Sequence, residues 1–158
     1  VQTCALPIYM RGVLKSLAHL TSSASAQWQR PELILLAQAS ARLQATAPHA
    51  ATLQTLTQSI SMLQRWVLQN PQDAQAWQVL ASALSSQGRP LASLRAEGEA
   101  QLARMDFGAA VDRFRAAQDA SRKLSPAMGD HIEASIVDAR LRFAQGLLRE
   151  QMLERQEK

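Results

Sequence analysis

Helix breakers recur in this chain at intervals of about one helix plus a tight turn, and that spacing constrains the fold most. Asn70-Pro71, Gly88 with Pro90, and Asp106 mark the boundaries. Gly88 and Asp106 lie about one 17-residue half-repeat apart, which makes each helix with its turn half of a unit of about 34 residues. Short connections between helices of this length force antiparallel neighbours. The intervening residues agree with helix: Ala, Leu, Gln and Arg are good helix formers, β-branched residues are few, and Gly and Pro number only six each in 158 residues. The chain is 47% hydrophobic but only 4% aromatic, so the helices are expected to stack through small side chains. The expected fold class is all-α, an array of antiparallel helix pairs with a long C-terminal capping helix.

The periodicity divides the chain into seven segments. Tyr9 to about Leu20 carries Met10, Val13, Leu14, Leu17 and Leu20 on one face, and Thr21 to Ala26 reads as a loop. A second helix opens near Pro31 and carries Leu33, Leu36, Ala37 and Leu43. After the turn Thr46–His49, a third runs through Leu53, Leu56, Ile60, Leu63, Trp66 and Val67 to Gln69-Asn70. Asn70 is expected to cap the fourth helix, Pro71 to take its first position, and Asp73 to favour its positive end. That helix carries Trp77, Leu80, Ala81 and Leu84 and stops at Gly88. Pro90 opens a fifth, ending near Arg104. Asp106 is expected to cap a sixth, with Phe107, Ala110, Val111, Phe114 and Ala117 on one face and a break at Ser125-Pro126. In the last helix Asp130 and Glu133 form a start resembling a capping box. Its expected buried face is Ile132, Ile136, Ala139, Phe143 and Leu147, and its charged tail, Glu150 to Lys158, is expected to fray.

Two of these patterns resemble the tetratricopeptide (TPR) family. Pro71, Trp77, Leu80-Ala81 and Leu84 follow the order of a first repeat helix, in which a large residue fills the gap between paired helices and a small one lets backbones approach. Asp106-Phe107, Ala110, Phe114 and Ala117 follow the second-helix pattern. A weaker first-helix copy is Leu33, Leu36-Ala37, Ala39, and Gly98 also falls where a first-helix small residue belongs. The register between Ala81 and Ala110 therefore stays ambiguous.

A narrower resemblance lies in Arg95-Ala-Glu97-Gly98-Glu-Ala100, Asp106-Phe107-Gly-Ala-Ala110-Val111 and His131 through Asp138-Ala139-Arg140-Leu141-Arg142. These runs are similar to the C-terminal region of bacterial periplasmic zinc metalloproteases of the β-barrel assembly-enhancing type, over roughly Gln64 to Gln145 and more loosely back to Pro31. The resemblance implies a TPR arm that binds outer-membrane assembly machinery or unfolded outer-membrane proteins, a periplasmic location, and an upstream HExxH domain that holds the zinc. This sequence has no HExxH, so the family's zinc ligands and catalytic Glu have no position here, and no cofactor is expected in this chain. Val1–Ile8, which includes the single cysteine Cys4, resembles translated sequencing adapter. The expected domain is then 9–158, the C-terminal piece of a longer protein.

The residues offer no catalytic or metal constellation of their own. His19, His49 and His131 lack a second His four residues away. Asp130-His131-x-Glu133 is read as a helix start rather than a metal site. No Gly-x-Ser-x-Gly elbow and no glycine-rich phosphate loop occur. The net charge of +4 is spread among interspersed acids with no Lys/Arg cluster, which argues against a nucleic-acid partner. No apolar run reaches the roughly 18 to 20 residues of a membrane span, so no membrane insertion is expected. Trp66 and Trp77 are read as fillers between helices; for Trp28 both packed and exposed positions stay open.

Function is therefore expected from a surface. The face lined by first helices offers Gln38, Arg42, Gln78, Ser82 and Ser85, polar and mildly basic, suited to an extended peptide or a partner helix. The alternative to a protease arm is a stand-alone TPR scaffold or adaptor, and an upstream HExxH domain is what distinguishes the two.

Overall fold

A computed structural model describes Gly12, residues 30–123 and residues 131–157. The described residues form six helices and no strand. They are α1 (Arg30–Thr46), α2 (Ala50–Gln69), α3 (Ala74–Ser86), α4 (Pro90–Ala103), α5 (Phe107–Lys123) and α6 (His131–Gln156). The expected helix over Tyr9–Leu20, the Ser125-Pro126 break and the Asp130 cap lie outside the described residues.

The helix ends follow local chemistry. His49 caps α2: its Nδ1 accepts the Ala51 N–H at 3.3 Å, while the Thr52 hydroxyl accepts the His49 N–H at 3.1 Å. Asn70 does not cap α3 and Pro71 is not its first residue. Asn70 ends α2, with both its backbone N–H and its side-chain amide donating to the Trp66 carbonyl. Asp73 is the N-cap of α3, accepting the Ala76 N–H at 3.1 Å. A carboxylate complements the positive helix end better than the neutral Asn70 amide, and Pro71 spends its fixed φ on the turn. Asp106 caps α5 through the Ala109 N–H, as the sequence predicts. After α3, Gly88 takes φ +78°, the left-handed position that ends helices. The equivalent position after α4 is Met105 at φ 62°, where a side chain bears the cost that glycine avoids.

Side-chain pairs fix the helix directions. Ser40 with Ser59 and Gln44 with Thr52 set α1 antiparallel to α2. The Ser93 hydroxyl donates to the Ala81 carbonyl between α3 and α4, and Glu97 meets Arg113 between α4 and α5. Helices two apart run parallel. Arg30 at the start of α1 holds Asp73 at the start of α3, and Arg95–Glu133 followed by Glu99–Arg140 climbs α4 and α6 together. The closest packing joins each helix to its successor, α1 to α3, and α4 to α6.

The principal core spans α1 to α4, with Leu33, Ala37, Leu56, Ile60, Leu63, Val67, Trp77, Leu80, Ala81 and Leu84 buried and Trp66 packed against it. Two smaller clusters join α4, α5 and α6: Phe114 with Ala110, Val111, Leu141 and Ala144, and Leu91 with Ala117 and Val137. Helix α4 is buried around its circumference, by Leu91, Ala92, Ser93, Ala96, Gly98, Glu99 and Ala100. One side offers Ser93 to α3. On another, Gly98 lies so close to Phe114 of α5 that an added Cβ would fall 2.6 Å from the ring. The ambiguous register has a physical basis here: α4 packs closely on both α3 and α5, so packing alone does not single out one of them as its pair partner.

Helix α6 departs from expectation. Its buried residues are Val137, Leu141 and Ala144, whereas Ile132, Ile136, Ala139 and Phe143 are exposed and Leu147 is half-buried. Both sets have helical spacing; the buried one packs against Ala110, Val111 and Phe114 of α5 and near Leu91 of α4. Glu133 turns its carboxylate to Arg95. The tail does not fray at Glu150; α6 runs on to Gln156.

Candidate functional site

The surface residues expected from sequence fall on α1 and α3. Asp73 holds these two helices side by side. Its carboxylate accepts Arg30 Nε at 2.5 Å and Arg30 Nη2 at 2.8 Å, Trp66 Nε1 at 3.0 Å and the Ala76 N–H at 3.1 Å. The bidentate Arg30 bond, with the Trp66 and Ala76 donors, holds this carboxyl well below the usual carboxylate range, against the opposing effect of its burial. Arg30 also donates to Gln75 at 3.0 Å. A depression of about 480 Å³ beside this knot is lined by Arg30, Trp66, Gln69 and the turn residues 70–73. The Asp73 carboxylate is already engaged by Arg30, Trp66 and Ala76, so the knot organises the turn.

Beyond the knot, the outward faces of the two helices carry all five residues expected from sequence. On α1, Gln38 and Arg42 are exposed; on α3, Ser82 and Ser85 are exposed and Gln78 is half-buried. Each set shares one face of its helix by spacing, but no hydrogen bond joins the two sets. The Ser82 hydroxyl donates to the Gln78 carbonyl at 3.2 Å and is committed to its own helix. The Arg42 guanidinium has no ion-pair partner among the described residues. Leu35, 50% exposed, shares the open face with Gln38 and Arg42. The sequence carried a signal for it: in Leu33-Ile34-Leu35-Leu36, helical spacing turns one residue away from the other three. The pairing of Arg30 with Asp73 carried none, because the two are 43 residues apart.

Comparison with family models, curated proteins and solved structures gives no match.

Other polar clusters serve packing. Glu99, 8% exposed, accepts Arg140 Nε at 2.6 Å and Nη2 at 2.5 Å. Arg95 pairs with Glu133, and Gln118 donates to Asp138 at 2.8 Å. Among the described residues no three His, Cys, Asp or Glu side chains converge as a metal site, and no helix is long and apolar enough to cross a membrane.

Proposed function

We propose that this chain is a TPR-type scaffold that binds an extended peptide or partner helix along the open face of α1 and α3. We further propose that it serves as the recognition arm of a periplasmic HExxH metalloprotease acting on outer-membrane proteins. The observation that carries the binding reading is the pairing of two parallel helices whose outward faces hold amides, hydroxyls, a cation with no ion-pair partner among the described residues, and one exposed leucine. Gln38 and Gln78 offer both donors and acceptors to a peptide backbone. Arg42 suits a carboxylate or carbonyl, and Leu35 gives an apolar side chain a place to settle. The TPR reading is supported by the close approaches at Ala81–Ser93 and Gly98–Phe114, where small residues of one helix admit the next. The protease reading rests on the sequence resemblance alone, and zinc would belong to the upstream domain.

Two measurements test these readings separately. Fluorescence anisotropy with a labelled, unfolded outer-membrane β-strand peptide tests binding. Arg42→Glu and Leu35→Asp are expected to weaken it about tenfold each, with Arg115→Glu on α5 as a neutral control. Binding unaffected by the α1 changes sinks the surface. Sequencing the complete source gene tests the protease reading, which fails if no HExxH domain precedes Tyr9.

A further inference from the structure

Helix α6 has two apolar stripes and uses one. Val137, Leu141 and Ala144 are buried against α4 and α5, with Leu148 packed beside them. Roughly two-fifths of a turn around the helix, Ile132, Ile136, Ala139 and Phe143 face solvent; Ile132 is 78% and Phe143 50% exposed. Single exposed apolar residues are ordinary, but an aligned row over successive turns is the mark of a contact surface. Arg140 lies over the Phe143 ring, 4.8 Å from its centroid, and braces it on that row.

We propose that this stripe is a self-association surface, on which α6 of a second copy packs antiparallel about a two-fold axis near Val137–Asp138. Charge selects the occupant and the register. With the axis there, Ile132 meets Phe143 of the second copy and Ile136 meets Ala139, whose small side chain lets the helices approach. On the flank toward α4, Glu133 faces Arg140 of the second copy. The Arg95–Glu133 and Glu99–Arg140 pairs of both copies then join in one row of alternating sign. On the other flank Arg142 faces Ser135, and no like charges meet. Sliding the copies so that the axis falls near Ala144–Gln145 sets Glu133 against Glu154 and Arg142 against Arg149, which repel. The contact is at the small end of specific interfaces, below about 1,200 Å², so the association is expected to be weak, with a Kd on the order of 100 µM.

Sedimentation velocity on the full chain, from about 10 µM to about 1 mM, tests this. Reducing conditions keep a Cys4 disulfide from mimicking association. The expected result is a concentration-dependent monomer–dimer equilibrium. Ile136→Glu and Phe143→Glu are each expected to weaken it at least about tenfold. Both side chains are exposed, so the thermal midpoint should hold. Ser135→Glu, which sets a carboxylate opposite Arg142, tightens the dimer about threefold, and Ser135→Arg loosens it by a similar factor. A chain that stays monomeric throughout overturns the proposal, as does a dimer indifferent to Ile136→Glu. A dimer indifferent to both Ser135 changes overturns the antiparallel register.

Discussion

Replacing Gly98 by alanine sets two effects of known sign against each other. Inside an exposed helix, Gly→Ala stabilises by about 1 kcal/mol, because alanine loses less backbone freedom on folding. At Gly98 the added Cβ would lie 2.6, 2.7 and 2.9 Å from Cε1, Cζ and Cδ1 of Phe114. Carbon atoms prefer about 3.5 to 4.0 Å. Phe114 is fully buried between Ala110, Val111, Leu141 and Ala144, so its ring has no free direction in which to yield. Helices α4 and α5 must then part, and overpacking of this kind costs about 1 to 3 kcal/mol. The net expectation is a loss of up to about 2 kcal/mol, or up to roughly 6 °C in thermal midpoint for a chain of this size. Gly146 is the internal control. It is helical, and nothing lies within 4 Å of its added Cβ, so Gly146→Ala is expected to gain up to about 1 kcal/mol. Urea denaturation followed by helical circular dichroism reads both variants. Phe114→Leu combined with Gly98→Ala should cost less than the sum of the two single changes. A stabilised Gly98→Ala variant, or strict additivity with Phe114→Leu, refutes the close approach of α4 and α5.

Other outcomes follow from the same structure. Asp73→Ala should cost about 2 to 3 kcal/mol at neutral pH, because it removes the α3 cap and strands Trp66 Nε1. The folded-state pKa of Asp73 is depressed, so its contribution is complete above the unfolded value of about 3.9 and is lost as pH falls below it. The gap between wild type and Asp73→Ala in urea melts should therefore narrow below about pH 4; a gap that widens there contradicts the carboxylate knot. Trp77→Ala should lower stability by about 3 to 5 kcal/mol, since Trp77 is 8% exposed within the main core, and an unchanged melting midpoint would place it elsewhere. Met105→Gly should raise stability by about 1 kcal/mol by relieving the left-handed backbone, a gain that thermal denaturation detects. Glu99→Ala should cost about 2 to 3 kcal/mol, less than a fully enclosed pair because Arg140 remains 34% exposed. In a double-mutant cycle with Arg140→Ala most of that cost should appear as coupling.

The helices were legible in the sequence where breakers and periodicity agreed. Pro90, Gly88 and Asp106 sit at the ends they indicate, and of the apolar series in α2 Leu56, Ile60, Leu63 and Val67 are buried, Trp66 is half-buried and Leu53 is exposed. Two kinds of information were not local. Asn70 and Asp73 were both competent caps; the carboxylate suits the positive helix end better, and Arg30, 43 residues away in sequence, holds Asp73 there only once the chain has folded. In α6, two apolar stripes competed for one contact. Helical spacing does not separate them, and only the fold shows that Val137, Leu141 and Ala144 make the contact with α4 and α5. The five surface residues were legible as outward positions by periodicity. That Ser82 would turn its hydroxyl onto its own helix was not, because Ser side chains choose between solvent and backbone according to their neighbours.

The dual use of α4 leaves the array without a seam. A chain ended after Gln87 would uncover the α3 surface on which Ser93 closes, and one begun at Pro90 would uncover the opposite side of the same contact. A cut after Ala103 would leave Gly98 facing water where Phe114 belongs. A repeat protein assembled from independent pairs can be lengthened or shortened by whole units. Here the helix in the middle belongs to both of its neighbours, so removal of either end is felt by the other.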